Sequence, residues 1–228
     1  MARQVHRLSE IIESFTRTKQ NGNTSPEVDI LGDVTTIEWP VRTERLSLRA
    51  YTPDDLDALW EFEQLPQVQH WLGWAPHSRA ELRDAIATSR TTHVMVLLDA
   101  AVIGHIMIIP RDSWAQADVA DQAKGLEAEL GWMFDPMYGG SGYATEAVAA
   151  VLDVCFDTLA LRRVQAGCFA DNAPSWHLME RLGLRREEES RATALHRDGT
   201  WHDGLMYAVL REEWPACRPK RVDSRTEA

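Results

Sequence analysis

Cysteine is scarce in this chain, and its spacing is irregular. The 228 residues contain three cysteines, Cys155, Cys168 and Cys217, an odd number with no CxxC pair. This pattern argues against a disulfide framework and against a zinc knuckle, and no metal site is expected. We expect three free thiols, the first two of them in the core.

Long apolar runs are also lacking. No stretch of about 18 uninterrupted apolar residues occurs, as a membrane-spanning helix would need, and the N-terminus has no apolar signal core. We therefore expect no membrane partner, no secretory signal and a cytoplasmic location.

Positive charge is in the minority. The chain has 24 Lys and Arg against 35 Asp and Glu, which gives a formal net charge of -11. This balance disfavours nucleic acid as a main partner and mildly attracts cationic substrates such as amines. Hydrophobic residues make up 44% of the chain, so a sizeable core can be buried.

The two ends of the chain differ from its middle. Residues 1–40 combine a short amphipathic helix, carried by Leu8, Ile11, Ile12 and Phe15, with a linker rich in turn formers. This segment is either a partly disordered leader or an arm that docks on its own domain or on a second subunit. Residues 41–214 form the domain, and we expect residues 215–228 to be a disordered tail.

The middle of the chain predicts an α+β fold. Strand and helix patterns follow one another as β, α, α, β, β, β, α, β, α, β, β, which indicates a mixed sheet flanked by helices. Thr52 and Ser78 have the spacing of capping boxes at the starts of the first two helices.

A glycine cluster stands directly in front of a strongly helical run. The stretch "DPMYGGSGYATEAVAAVLDVCF" begins at Asp135, and its apolar residues recur at intervals of three and one. Glycine is a poor helix former, but bare backbone N–H groups at a helix N-terminus bind phosphate or pyrophosphate. The GxGxxG dinucleotide pattern fails at Thr145, and the GK[ST] ending of the Walker pattern is absent.

Two motifs resemble the GNAT superfamily of acyl-CoA-dependent N-acetyltransferases. Its pattern [QR]xxGx[GA] is met by six consecutive residues, with a departure at the first: Gly139, Gly140, Ser141, Gly142, Tyr143 and Ala144. Downstream, "DNAPSWHLMERLGL" is similar to the N-x-x-S segment of the branch of ribosomal-protein N-terminal acetyltransferases, with Asn172, Ser175 and Gly183 in register. The resemblance covers roughly residues 42 to 212.

The resemblance implies both a fold and an activity. The fold is a central mixed, mostly antiparallel sheet of about six to seven strands flanked by about four helices. The activity is transfer of an acetyl group from acetyl-CoA to a primary amine, on a small molecule or a protein N-terminus, by direct attack in a ternary complex. A homodimer is a further expectation of the family. The alternative is a GNAT-like module that binds acyl-CoA as a sensor, or binds a protein partner, without turnover.

The chemistry needs a base and donors for an oxyanion. By the resemblance, the strand before the glycine cluster splays from its neighbour so that pantetheine pairs with it, and Met133 and Phe134 are its candidate N–H donors. Glu129, on the same strand, is the candidate base, because a partly buried carboxylate is a better base than a solvated one. Glu127 and a water chain are the alternatives.

Other roles also come from the resemblance. Asn172 is expected to hold the pantetheine arm and Ser175 to bond or protonate the CoA sulfur, although Asn172 would equally cap a helix. Many GNAT enzymes carry a tyrosine four residues after the serine, where this chain has Met179.

The acceptor site is expected in the loop between the first two helices. Its aromatic and imidazole side chains, His70, Trp71 and Trp74, are candidates for substrate binding, although packing is the commoner role of such residues. His105, within an apolar strand, is interpreted as a structural histidine.

Overall fold

One eight-stranded sheet organises the protein. The computed structural model describes residues 36–219, and its strand order is β1-β2-β3-β4-β5-β6-β8-β7. The strands are Val41–Arg42 (β1), Leu46–Ala50 (β2), Thr92–Leu98 (β3), Ala101–Arg111 (β4), Glu127–Phe134 (β5), Arg163–Phe169 (β6), Arg185–Leu195 (β7) and Trp201–Leu210 (β8). All neighbours are antiparallel except β5 and β6, which are parallel. The mixed, mostly antiparallel sheet is confirmed, with the short β1 as an additional strand.

Helices cover both faces of the sheet. The described residues contain the four longer helices that were expected: Leu56–Glu63 (α1), Arg79–Thr88 (α3), Tyr143–Asp153 (α4) and Ala173–Arg181 (α5). Two helices of one turn are Pro66–Gln69 (α2) and Trp214–Cys217 (α6), and a π-helical segment, Val154–Thr158, continues α4. None of the helices within residues 36–219 has the length and apolarity that crossing a membrane requires.

The helix starts follow the predicted capping residues. The N–H of Thr52 donates to the Asp55 side chain over 2.8 Å, directly ahead of α1, and Ser78 accepts the N–H of Glu81 at the start of α3. Such caps satisfy N–H groups that have no partner inside the helix. They therefore fix where the first two helices leave the sheet.

Alternation along the central strands divides the core in two. Even-numbered residues such as Ile106 and Leu130 pack with α4 and α5 on one face. Odd-numbered residues such as Met95 and Met133 pack with α1 and α3 on the other. Because side chains of successive strand residues point to opposite faces, the odd-numbered polar residues of β3, β4 and β5 all lie on the side of α1 and α3.

The folded domain is longer at both ends than the sequence predicts. Ile37, assigned to the linker, is buried in the main core. Trp214 is buried at the start of α6, and Arg218, assigned to the disordered tail, forms an ion pair with Asp157 over 2.6 Å. An isolated one-turn helix has no detectable periodicity, which is why composition alone misplaced this boundary. The predicted N-terminal helix and the rest of the tail lie outside the described residues.

Candidate active site

The sheet opens between its two parallel strands. β5 and β6 pair only at Glu127, Ala128 and Glu129, although β5 continues to Phe134 and β6 to Phe169. β4 stays paired with β5 along the whole of that strand. Beyond Glu129 the facing edges of β5 and β6 do not pair with each other, and the splaying implied by the resemblance is present.

Backbone alternation decides which N–H groups face this opening. The N–H of Asp135 donates to the carbonyl of Ile103 on β4. Because an antiparallel ladder alternates its direction of bonding residue by residue, the N–H of Met133 also points to β4 and that of Phe134 points to the opening. Of the two predicted donors, Phe134 has the required orientation and Met133 contributes a side chain to the wall.

A large cavity runs through the opening. Its volume is about 1280 Å³, and its wall includes β5, β6, the glycine cluster, the start of α5 and the segment between α1 and α3. Pockets for one drug-sized ligand measure roughly 300–1,000 Å³. This cavity is therefore large enough for a long donor molecule and an acceptor together.

The glycine cluster forms the turn into α4. Gly142 is the N-cap of that helix, and both Gly140 and Gly142 have φ of 79°, a left-handed conformation that glycine adopts readily. The first-turn N–H groups of α4 have no partner within the helix. Gly139, Gly140 and Ala144 line the cavity. The arrangement fits an anion held by backbone N–H groups with help from the helix dipole.

A clamp that the sequence did not reveal holds this turn in place. Glu146, in the first turn of α4, accepts hydrogen bonds from Thr43 Oγ1 (2.6 Å) and Arg45 Nε (2.7 Å). Arg45 also donates to the carbonyl of Ser141 over 2.9 Å and lies 4.5 Å above the Tyr143 ring. Burial favours the protonated form of Glu146, but the bonds from Thr43 and Arg45 outweigh it and lower the pKa of this carboxyl.

The start of α5 lines the same cavity as the glycine cluster. Asn172 is its N-cap, with Oδ1 accepting the N–H of Ser175 over 3.3 Å, so the capping role is confirmed. Both side chains line the cavity, and the Ser175 hydroxyl bonds the thiol of Cys168 on β6. Burial raises the pKa of that thiol to about 11, against the effect of the Ser175 bond. Met179 is fully buried in the core.

Cys168 differs from its sequence prediction. All three cysteines are free, and Cys155 is buried as expected, with burial raising its pKa to about 12. Cys168 instead lies half-buried in the cavity wall. The sequence places it on a strand but does not show that this strand loses its neighbour.

The two candidate bases on β5 have different surroundings. Glu129 lines the cavity with 4% of its surface exposed, and Arg111 donates to its Oε2 from Nη2 over 2.7 Å. Glu127 does not line the cavity, since its carboxylate is bound by Ser113 and Arg162. Glu129 is therefore the one of the two that a ligand in the cavity can reach.

The acceptor residues predicted from the loop are only partly in the cavity. Trp71 and Trp74 line it. His70 is exposed and does not line the cavity; its carbonyl accepts a bond from His196 over 2.9 Å, and its ring lies 4.3 Å from that of Trp71. His70 therefore makes the packing contact that was the alternative for it, and its part in substrate binding stays a prediction.

A buried chain of polar side chains was missed by the sequence analysis. His105 Nδ1 lies 3.1 Å from Glu63 Oε1, and His105 Nε2 lies 2.9 Å from His93 Nδ1. All three residues line the cavity. The β3–β4 hairpin register would have revealed the pairing, because it sets His93 and His105 on one face of adjacent strands.

Comparisons with known proteins agree with this geometry. A family model for an acetyltransferase (GNAT) domain matches residues 45–185. The uncharacterized N-acetyltransferase YnaD of Bacillus subtilis is 27% identical over 180 residues, covering 76% of this chain and 98% of YnaD. A GNAT-family acetyltransferase structure from Bacillus anthracis has a TM-score of 0.64 at 27% identity, covering 76% and 99% of the two chains. RimJ of Mycobacterium smegmatis, solved in complex with CoA-disulfide, has a TM-score of 0.60 at 24% identity, covering 75% and 84%.

The family match takes in most of the site described above. It includes the clamp residue Arg45, the opening between β5 and β6, the glycine cluster and the start of α5, and it extends over more than half of the chain. The protein therefore belongs to the GNAT acetyltransferase family and is an N-acetyltransferase.

Proposed function

We propose that this acetyltransferase binds acetyl-CoA in the opening between β5 and β6 and transfers the acetyl group directly to a primary amine in a ternary complex. The observation that carries the proposal is that the free edge of β5 and the glycine cluster line the same cavity. The unpaired edge of β5 suits an extended amide-containing chain such as pantetheine, and the glycine cluster at the N-terminus of α4 suits the pyrophosphate. RimJ of Mycobacterium smegmatis, with CoA-disulfide bound, supports this choice of donor.

The residues around the thioester have separate roles in this proposal. The N–H of Phe134 polarises the thioester carbonyl and stabilises the oxyanion that forms on it. Ser175 donates to the departing sulfur, a role that Met179, buried in the core, does not fill. Asn172 orders the start of α5 and so fixes the position of Ser175.

The acceptor side of the cavity favours a cationic amine. Its wall carries the carboxylates of Glu81, Asp84 and Glu129 together with the rings of Trp71 and Trp74. Carboxylates attract an ammonium group, and indole rings bind cations through their faces. A small amine and a protein N-terminus both carry such an ammonium group. The homodimer stays a prediction.

A charge placed in the glycine cluster tests donor binding. We expect Gly142→Glu to abolish acetyl-CoA binding in calorimetric titration, because the side chain adds a carboxylate at the pyrophosphate position and strains a residue with φ of 79°. The matched control is Gly199→Glu in the β7–β8 turn, where φ is 87° and the added Cβ meets no atom within 4 Å. NADH serves as the control ligand. Unchanged acetyl-CoA affinity in Gly142→Glu would remove the support for this binding mode.

A further inference from the structure

Glu63, His105 and His93 form a hydrogen-bonded chain from the core to the cavity wall. We call these three residues the histidine chain. Glu63 and His105 are each 2% exposed, and the rings of His105 and His93 are stacked with centroids 5.0 Å apart. The chain begins on α1, crosses β4 and ends on β3.

The polarity of the histidine chain follows from its first member. An ionised carboxylate only accepts hydrogen bonds, so His105 donates to Glu63 from Nδ1. In a neutral ring the other nitrogen is an acceptor, so Nε2 of His105 accepts from Nδ1 of His93. With both rings neutral, His93 Nε2 carries a lone pair rather than a proton.

That last nitrogen has no hydrogen-bond partner among residues 36–219. His93 Nε2 is buried and forms no hydrogen bond to any of the residues that the structure describes. Buried polar atoms nearly always have a partner, so an exception calls for a physical reason. His93 borders the cavity that takes the acceptor, and a ligand that enters the cavity can supply the missing donor.

We propose that His93 is the general base of the reaction and that the histidine chain carries the resulting positive charge back to His105. This inference rests on the proposed function. One N–H bond of the acceptor ammonium breaks and an N–H bond forms at His93 Nε2, while the proton on His93 Nδ1 moves to His105 Nε2. The charge then lies on His105 beside Glu63, and His93 is again neutral.

The remaining protons also balance. The neutral amine attacks the thioester carbon, and the C–S bond breaks with its electron pair leaving on sulfur. The nitrogen loses its second proton as the amide forms, and the departing thiolate gains one through Ser175. The proton held by the histidine chain returns to solvent after product release.

The environment of His93 fits a group that passes a proton on. Burial, reinforced by the proximity of His105, lowers the pKa of His93 to about 3, so its own ring does not retain charge. The positive charge is stabilised one residue further in, where a carboxylate is in direct contact. Glu129, in contrast, already has one oxygen bound by Arg111.

Access to His93 Nε2 requires the cavity wall to adjust. Catalytic hydrogen bonds in ligand-free sites are commonly long or misaligned and tighten only when substrate is bound. Acceptor binding therefore has to open the wall of the cavity at His93 by a small side-chain shift.

Few other ionisable groups act on the histidine chain. The Tyr51 ring lies 6.4 Å from that of His93, and burial, with the nearby Asp55, raises its pKa, so it stays neutral. Charged pairs on the same side of the sheet include Arg49–Asp55, Arg79–Asp57, Arg83–Asp84 and Arg111–Glu129, and Glu81 also lines the cavity. None of these groups bonds to the two rings among the described residues. Burial favours the protonated form of Asp55, but hydrogen bonds from Arg49 and Thr52 outweigh it and lower the pKa of this carboxyl.

The first test is the pH dependence of kcat/KM, with spermidine and a short peptide carrying a free N-terminus as probes. We expect the wild-type rate to rise with pH through a midpoint set by the histidine chain. In His93→Gln the rate at neutral pH should fall by about 100-fold or more, and the midpoint should move up toward that of the free amine. Glu63→Gln keeps the hydrogen bond but removes the charge that stabilises a protonated His105, so it should lower the rate and move the midpoint to lower pH, opposite to His93→Gln. His77→Gln, on the exposed loop before α3, is the control.

Two readouts separate catalysis from structure. Acetyl-CoA affinity should be unchanged in His93→Gln and Glu63→Gln, and added imidazole should restore part of the rate of His93→Gly. Nitrogen NMR of the wild-type histidines should show a proton on Nδ1 and a lone pair on Nε2 of His93 above the midpoint, reversing below it.

The outcomes distinguish this inference from the proposed function. If His93→Gln and Glu63→Gln both turn over at the wild-type rate with an unchanged pH dependence of kcat/KM, the inference is overturned and the proposed function still stands. A proton on His93 Nε2 throughout the NMR titration overturns it as well, without the need for folded variants. No amine-dependent release of CoA thiol by the wild type would overturn both.

Discussion

At the scale of single residues, Glu129 has a defined position and one oxygen available. It lies at the last residue pair before β5 and β6 separate, with Arg111 bound to Oε2. No described residue bonds its Oε1. The carboxylate is therefore suited to receive an N–H of a cationic acceptor in the cavity.

The variant Glu129→Gln separates binding from proton removal. We expect KM for the amine to rise about tenfold, because a hydrogen bond to a charged group contributes roughly 1.5–3 kcal/mol, while the midpoint of the pH profile stays in place. Steady-state kinetics at several pH values measure both quantities. If Glu129 were the base, kcat would fall instead and the acid limb of the profile would change.

The residue scale is also where sequence reasoning reached least far. The motif predicted Glu129, Asn172 and Ser175 on the cavity wall, because each has a fixed place relative to a recognisable pattern. His93 and Glu63 belong to no pattern. Their association depends on strand register and on the packing of α1 against β4, which are set by tertiary contacts rather than by neighbours in sequence.

At the scale of elements, the turn into α4 depends on a distant strand connection. Thr43 and Arg45, beside β2, hold Glu146 about one hundred residues away in sequence. The glycine cluster could be predicted from composition and helix periodicity. This clamp could not, because it joins segments that only the sheet order brings together.

Loss of the clamp should have two effects. In Glu146→Gln the affinity for acetyl-CoA should fall several-fold, since the glycine cluster loses an anchor, and the free energy of unfolding should fall by about 1 kcal/mol near neutral pH. The folded pKa of Glu146 is below its ordinary value of 4.5. The stabilisation is therefore complete above that value and is lost as pH falls through the folded pKa.

Denaturant titrations at neutral and acidic pH, with calorimetry of acetyl-CoA binding, measure these effects. The difference in unfolding free energy between wild type and Glu146→Gln should narrow in acid. Glu187→Gln, which breaks an ion pair with Arg163 at 2.7 Å, is the matched control. It should change stability without changing acetyl-CoA affinity, and equal loss of affinity in both variants would contradict a specific clamp.

At the scale of the whole molecule, the one-turn helix α6 packs into the core of the domain. Trp214 has 1% of its surface exposed, and its indole N–H donates to Asp153 over 2.8 Å. The sheet and its flanking helices were predictable because their periodicity is long and regular. The boundaries of the domain were not, since they depend on single buried side chains in short irregular segments.

Truncation tests this boundary. A chain ending at residue 219 should keep the stability of the full chain, whereas one ending at residue 213 should lose about 3–5 kcal/mol, as removal of a buried tryptophan does. Thermal unfolding followed by circular dichroism measures the difference. Equal melting temperatures for the two truncated chains would show that α6 is dispensable.

The three residue pairs that join β5 to β6 have a further consequence for the molecule as a whole. Strands β1 to β5 and strands β6 to β8 are two parts of the sheet that pair with each other only at these three residue pairs. A donor that binds along the free edges of both β5 and β6 would connect the two parts where they do not pair. Acetyl-CoA would then stabilise the fold as well as react. Amide hydrogen exchange should slow in both parts of the sheet when acetyl-CoA binds. The enzyme would be most deformable in the interval after CoA leaves.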